Sequence, residues 1–501
     1  MDSIRSNSCL NDRSTLSSLA DLIRSPLSLG QTRSLPRYRE LVLRFQQAIL
    51  SGQLKAGEQL PSTRELAEEL GVSRNTIKNT YELLHAEGYI DTRKGSGSYV
   101  ANLPDHLLQK TDRLPVVNDS LNVTHLSRKT DKVSASSGLK LQPAMAALDQ
   151  FPMQAWKRCV NVAQASRGLL QSAPLAGDEL LREAIVKHLL IRRGVQAASS
   201  QVVITSGSQE ALYLVSRLLL KAGDEVLVEA PGYQGTYDVV AQTGARIQSI
   251  SWQTLQQKPE NTPNAKLLCL TPSRNFPLGH TLGLSSRLTL LAWAEQNQSW
   301  ILEDDFDCEF ATGPVVSALL GLSENQYARQ RVIYTGTFSR TVFPALRLGY
   351  VVLPKELVAP FLALRNHVDG GLSRLPQHAL AHFMISGEYS RHLKKMRLLY
   401  QQRRTVMENA LAASGLSDWP IIDAGGGMYL VLAMPEASDD VGLCQSLAQQ
   451  GFGVRPLSVY DPLTRQSGLV LGFSAEPEEK LASLVNELAS LIGSYQTIHT
   501  Q

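Results

Sequence analysis

Between residues 202 and 334 five short apolar runs recur: Val202-Val203-Ile204, Glu225-Val226-Leu227-Val228, Lys266-Leu267-Leu268-Cys269-Leu270, Trp300-Ile301-Leu302 and Val332-Ile333-Tyr334. Stretches of helical character, such as 209–220 and 286–295, separate them. A strand without polar alternation has to be covered on both faces, and strands that alternate with helices return by crossovers, so the pattern predicts a buried sheet wrapped by helices. Beyond about residue 355 the spacing predicts long helices, then strands at 427–432 and 469–473 and a last helix from Pro477 to about Ile492, which together form a smaller α+β lobe. A chain of 501 residues, 43 % hydrophobic and 19 % charged, is large enough to bury such a core and to carry a second domain.

That second domain lies near the N-terminus. Residues 1 to about 33 are rich in serine and lack a sustained period, so they read as a flexible extension with a short helix around 16–23. Tyr38, Leu41, Val42, Phe45, Ala48 and Ile49 then recur at helical spacing and stop at Ser51-Gly52. Ser62-Thr63-Arg64-Glu65 fits a capping box that starts a helix at Thr63, and Gly71 ends it. Ser73 caps a second helix with Ile77, Tyr81, Leu83 and Leu84 on its apolar side and Arg74, Asn75, Lys78 and Asn79 facing outwards. Tyr89-Ile90 and Ser98-Tyr99-Val100 read as strands flanking the basic tip Arg93-Lys94-Gly95-Ser96-Gly97, and the whole is a winged helix-turn-helix. Residues 102–137, with Pro104 and Pro115 and little periodicity, read as a linker.

A formal net charge of +3 gives no global attraction for nucleic acid, so affinity has to come from local groups. Those gather at the start of the second helix and at the wing tip, where a duplex offers phosphates and base edges. Five cysteines without a CxxC spacing exclude a disulfide framework and a zinc site and read as reduced thiols. No run of eighteen apolar residues and no signal-peptide core occurs, so no membrane partner is expected and the expected location is the cytoplasm.

Residues 35–101 resemble the GntR-type winged helix through Leu60-Pro61-Ser62-Thr63-Arg64, Ser73-Arg74-Asn75-Thr76 and Gly88-Tyr89-Ile90. The resemblance implies that Arg64, Arg74, Thr76 and the tip from Gly95 to Gly97 touch a double-stranded DNA operator. The side chains of Arg74 and Asn75 suit guanine and adenine edges, Lys94 suits a phosphate, and Lys78 is a further DNA-binding candidate. Residues 138–495 resemble fold-type I aminotransferases, and with the winged helix (34–101) they match the MocR class of bacterial regulators. By that resemblance Gly207, Ser208 and Gln209 hold a cofactor phosphate, and Tyr233 of Pro231-Gly232-Tyr233 packs on the ring of pyridoxal phosphate. Asp304 of Glu303-Asp304-Asp305 faces the ring nitrogen, with Asp305 as the alternative, and Arg347 binds the phosphate.

The departures from that family fall on the reactive side. In Gly336-Thr337-Phe338-Ser339-Arg340-Thr341, Arg340 stands in the slot of the lysine that tethers the cofactor as an imine, and a guanidinium stays charged and does not form one. Phe306 replaces a donating tyrosine, Arg274-Asn275 stands where His-Gln is usual, and Val470 aligns with an arginine that grips substrate carboxylates. The expected function is therefore a DNA-binding transcription regulator, a homodimer with a small-molecule effector. Its aminotransferase-like domain has no catalytic residue and binds pyridoxal phosphate or a related anionic ligand, noncovalently if at all. The rival readings are a working aminotransferase with an accessory DNA-binding domain and a scaffold that only dimerises. Arg340 either pairs with Asp304 or Asp305 or attracts an anion; the sequence leaves both open.

Overall fold

The computed structural model describes residues 36–93, 97–102, 138–311, 316–322, 331–436 and 438–499. The expected N-terminal extension with its short helix, nearly all of the linker, Cys9, Lys94 and Gly95 lie outside the described residues.

In the N-terminal domain, α1 (Arg37–Leu50) buries Leu41, Val42, Phe45 and Ile49. The capping box forms as the sequence requires: Ser62 Oγ accepts from the Glu65 amide at 3.3 Å, and Glu65 Oε2 accepts from the Ser62 amide at 2.9 Å. It opens α2 (Thr63–Leu70), which ends on Gly71 at φ +65°. Nothing lies within 4 Å of a Cβ built on Gly71, so glycine is needed there for the backbone conformation and not for space. Ser73 Oγ accepts from the Thr76 amide and opens α3 (Arg74–Ala86), whose Tyr81 meets Phe45 edge-on and donates to the carbonyl of Pro61. A two-residue strand β1 (Gln59–Leu60), too short to leave a period in the sequence, joins β2 (Ile90–Arg93) and β3 (Gly97–Val100) in an antiparallel sheet of order β1-β3-β2.

The large domain begins with α4 (Met153–Ala165) and α5 (Glu179–Arg193) and contains a seven-stranded sheet. Its strands are β4 (Val202–Thr205), β5 (Glu225–Ala230), β6 (Arg246–Ser251), β7 (Leu267–Leu270), β8 (Trp300–Asp305), β9 (Val332–Thr337) and β10 (Gly349–Val352). Their order is β4-β10-β9-β8-β7-β5-β6, parallel except for β10, which runs antiparallel to both neighbours. The sequence shows neither β6, a half-exposed edge strand without an apolar run, nor the reversal at β10. Crossover helices α6 (Ser208–Leu219), α7 (Gln234–Ala241) and α8 (Leu284–Gln296) cover the sheet. Three helices follow, α9 (Lys355–Val368), α10 (Arg374–Ile385) and α11 (Glu388–Ala412). The small lobe sets α12 (Asp440–Gln449) and α13 (Glu478–His499) against an antiparallel sheet of β11 (Tyr429–Ala433), β13 (Gly468–Gly472) and β12 (Arg455–Pro456). One cluster of buried apolar side chains runs from the winged helix into the large domain, so the two are packed together.

Candidate functional site

The start of α3 is the exposed face of the winged helix. Arg74 and Asn75 are exposed, Thr76 is half-buried, and no acidic residue occupies the first turn, so the positive end of the helix dipole stays open to a phosphate. The hydroxyl of Thr76 also lies 2.8 Å from Ser73 Oγ and so helps to fix the cap. Lys78 lies 3.7 Å from Glu82, and Arg64 lies 3.2 Å from Glu68; both pairs are exposed, and such pairs are held weakly enough for a duplex to claim the cation. Gly97, at φ +107°, starts β3 directly after the wing tip.

The second site is a cleft at the ends of the large-domain strands. Gly207 caps α6 at φ +100°, a conformation that glycine alone adopts freely, and Arg347 is held at φ +51° after a turn at 344–346. A Cβ on Gly207 would sit 3.9 Å from Arg347 Nη2, so the guanidinium fork lies beside the free amides of Ser208 and Gln209. The Gln209 side chain is otherwise engaged: its Nε2 donates to the carbonyl of Gly235 at 3.1 Å and ties α6 to α7. Tyr233 precedes α7 and meets Phe276 edge-on at 6.1 Å.

Successive strand residues point to opposite faces, and the two carboxylates at the end of β8 do so. Asp305 is taken by the Arg193 guanidinium at 2.7 Å and by the Tyr334 hydroxyl at 2.5 Å. Asp304 accepts from Thr335 Oγ1 at 2.9 Å; burial pushes its carboxyl up to about 6 against the pull of that hydroxyl and of Arg340. Asp304, Arg340 and Arg347 all act electrostatically on the Tyr233 phenol, which brings the four to one cleft. Arg340 donates to the carbonyl of Ala144. Among the described residues no carboxylate comes within 4.0 Å of it, so Arg340 pairs with neither Asp304 nor Asp305.

One arrangement at the cleft leaves no pattern in the sequence. Arg274, there only a departure from a family phrase, is buried and reaches across the cleft: Nε lies 3.1 Å from Asp307, while Nη1 and Nη2 donate to the carbonyls of Gly425 and Gly426 at 2.6 and 3.2 Å. A Cβ at position 427 would lie 2.3 Å from this guanidinium, and one at 279 would lie 2.8 Å away, so both glycines make room for it. Arg404 grips Asp423 of the same loop with both terminal nitrogens, at 2.8 and 3.2 Å. Arg274 fastens the small-lobe loop to the end of β8, and Arg404 fastens the same loop to α11. Val470 is fully buried in β13, paired with Val431 and Arg455, and Phe306 meets Phe276 edge-on at 5.7 Å. Among the described residues there is no group of three or more potential metal ligands, the four cysteines are free and buried, and no helix is long and apolar enough to cross a membrane.

A winged helix-turn-helix joined to a fold-type I aminotransferase-like domain defines the class of protein. Residues 37–100 match the family described as bacterial regulatory proteins, gntR family, and residues 142–487 match aminotransferase class I and II. The probable rhizopine catabolism regulatory protein MocR of Rhizobium meliloti is 33 % identical over 93 % of this chain and 95 % of its own length. The HTH-type transcriptional regulator TauR of Rhodobacter capsulatus is 35 % identical over 86 % of this chain and 91 % of its own, and the pyridoxine biosynthesis regulator PdxR of Corynebacterium glutamicum is 30 % identical over 95 % and 99 %. Among solved structures, LysN, an α-aminoadipate aminotransferase of Thermus thermophilus complexed with N-(5′-phosphopyridoxyl)-L-leucine, superposes with a TM-score of 0.65 at 23 % identity, covering 72 % of this chain and 94 % of that one. The chain belongs to the MocR family of HTH-type transcriptional regulators, with a GntR-type winged helix and an aminotransferase-like domain.

Proposed function

We propose that this regulator reads a duplex operator as a homodimer, and that its large domain takes pyridoxal phosphate or a related phosphorylated anion as an effector, without a covalent bond and without transaminase turnover. One contrast supports the reading: Arg347 lies beside the Gly207 start of α6, whereas position 340, by family resemblance the slot of the tethering lysine, holds an arginine and no lysine among the described residues is buried. A surface amine held protonated in water is a poor partner for an imine, and a guanidinium is no partner at all. Bound pyridoxal phosphate supplies an electron sink for amino-acid chemistry. This chain's residues would hold it by Arg347 and the amides of Ser208 and Gln209 at the phosphate, by Tyr233 at the ring face and by Asp304 at the ring nitrogen.

The same reading assigns base edges to Arg74 and Asn75 and phosphates to Arg64, Thr76, Lys78 and Lys94, with Gly95 and Gly97 letting the wing backbone approach the duplex. A second copy of the chain would cover the apolar side chains left exposed on and around α4 and α10, among them Leu148, Met153, Val162, Leu170 and Ile385. Calorimetric titration of the full chain with pyridoxal phosphate tests the effector assignment. Saturable binding reversed by dialysis is expected, weakened about tenfold or more by Arg347→Ala, because a charge-assisted contact to phosphate is lost. Absence of binding by the wild type would favour the scaffold.

A further inference from the structure

The junction between the two domains is ionic and buried. Glu87, directly after α3, accepts from the amide and the hydroxyl of Ser317 at 3.0 and 2.8 Å and from the side chain of Gln46. Arg39 of α1, 1 % exposed, lies 3.7 Å from Glu87 and donates to Ser317 Oγ at 3.2 Å. The fit is close: a Cβ on Gly194 would fall 2.9 Å from Arg39 Nη2. On the far side of the same segment Arg193, also 1 % exposed, donates to the carbonyl of Val316, its own carbonyl accepts from the Ala318 amide at 2.9 Å, and its Nε lies 2.7 Å from Asp305. Asp305 is the neighbour of Asp304, which faces the cleft.

A continuous run of buried polar contacts thus leads from the end of β8 through Arg193 and residues 316–318 to Glu87. Links of this kind are not screened by water, and removing one partner strands a buried charge, so a change at one end is felt at the next. Helix α3 is pinned at its C-terminal end while Arg74 and Asn75 at its other end stay exposed.

We infer that this buried run is a latch by which the cleft sets the orientation of the DNA-binding module, with Arg193 and Asp305 as positioning residues for α3 although neither belongs to its domain. The latch goes beyond the effector reading, and its test needs no ligand. Spin labels are placed on the full chain at two exposed positions, one in each domain (Glu82→Cys and Lys187→Cys, with Cys9→Ser), diluted with unlabelled chain, and their separation is measured by pulsed electron resonance. The otherwise unaltered chain gives one narrow distance distribution. Glu87→Gln and Asp305→Asn each broaden it about twofold, since a docked domain that loses a buried contact samples more orientations. Tyr334→Phe, which removes one hydrogen bond from Asp305 without stranding a charge, broadens it less and decides the matter should Asp305→Asn fail to fold. Broadening by Glu87→Gln with the wild-type width kept in the Asp305 and Tyr334 variants would overturn the inference, because the latch would then end at Ser317.

Discussion

His392 braces the loop that carries Arg340. Its ring lies 5.5 Å from that of Phe151 and 6.5 Å from that of Phe383, and Nδ1 has no partner. Burial pushes the imidazole from 6.5 down to about 4, against a hydrogen bond with the backbone of Thr341. A base whose folded pKa lies below its unfolded value stabilises the fold fully above the unfolded pKa, and that contribution fades as the pH falls through the folded one. Between pH 6.5 and about 4 the wild type is expected to lose on the order of 3 kcal/mol from this group. Urea unfolding across that range should show the stability of the wild type falling relative to that of His392→Phe as the pH falls; a constant difference would contradict it. At this scale the sequence is only half legible. Alternation along a strand puts Asp304 and Asp305 on opposite faces, but which one meets the cleft depends on Arg193, and the clasp of Arg274 depends on a loop of the small lobe. Neither partner lies near in the chain.

Elements set by local chemistry are the legible ones. The cap of α2, the stop at Gly71 and the cap of α3 each depend on residues a few positions apart, so their bounds can be read from the sequence. Strands β1, β6 and β10 escape because their existence depends on neighbours supplied by the fold: two residues of β1 pair with β3, and β10 is inserted between β4 and β9. For α2 and α3 the expectation concerns charge. In anisotropy titrations of the full chain with a random-sequence duplex, Lys78→Ala and Arg64→Ala should each flatten the salt dependence of binding by about one unit of log–log slope. An unchanged slope would remove that residue from the phosphate contacts.

The whole molecule joins an aminotransferase-like domain to a winged helix of the GntR type. The fold class and the two-domain layout were readable because short apolar runs and caps repeat over long stretches, whereas the docking of the domains rests on single buried ions that no periodicity shows. Sedimentation of the chain of 54.9 kDa should give about twice that mass, and Leu170→Asp should shift it towards the monomer if the exposed apolar side chains around α4 form the contact. Noncovalent binding turns on Arg340. Wild type and Arg340→Lys are each equilibrated with pyridoxal phosphate, dialysed, reduced with borohydride and weighed intact by mass spectrometry. The wild type is expected to stay unmodified and the variant to carry one phosphopyridoxyl group at position 340; a stoichiometric adduct on any lysine of the wild type would contradict noncovalent binding.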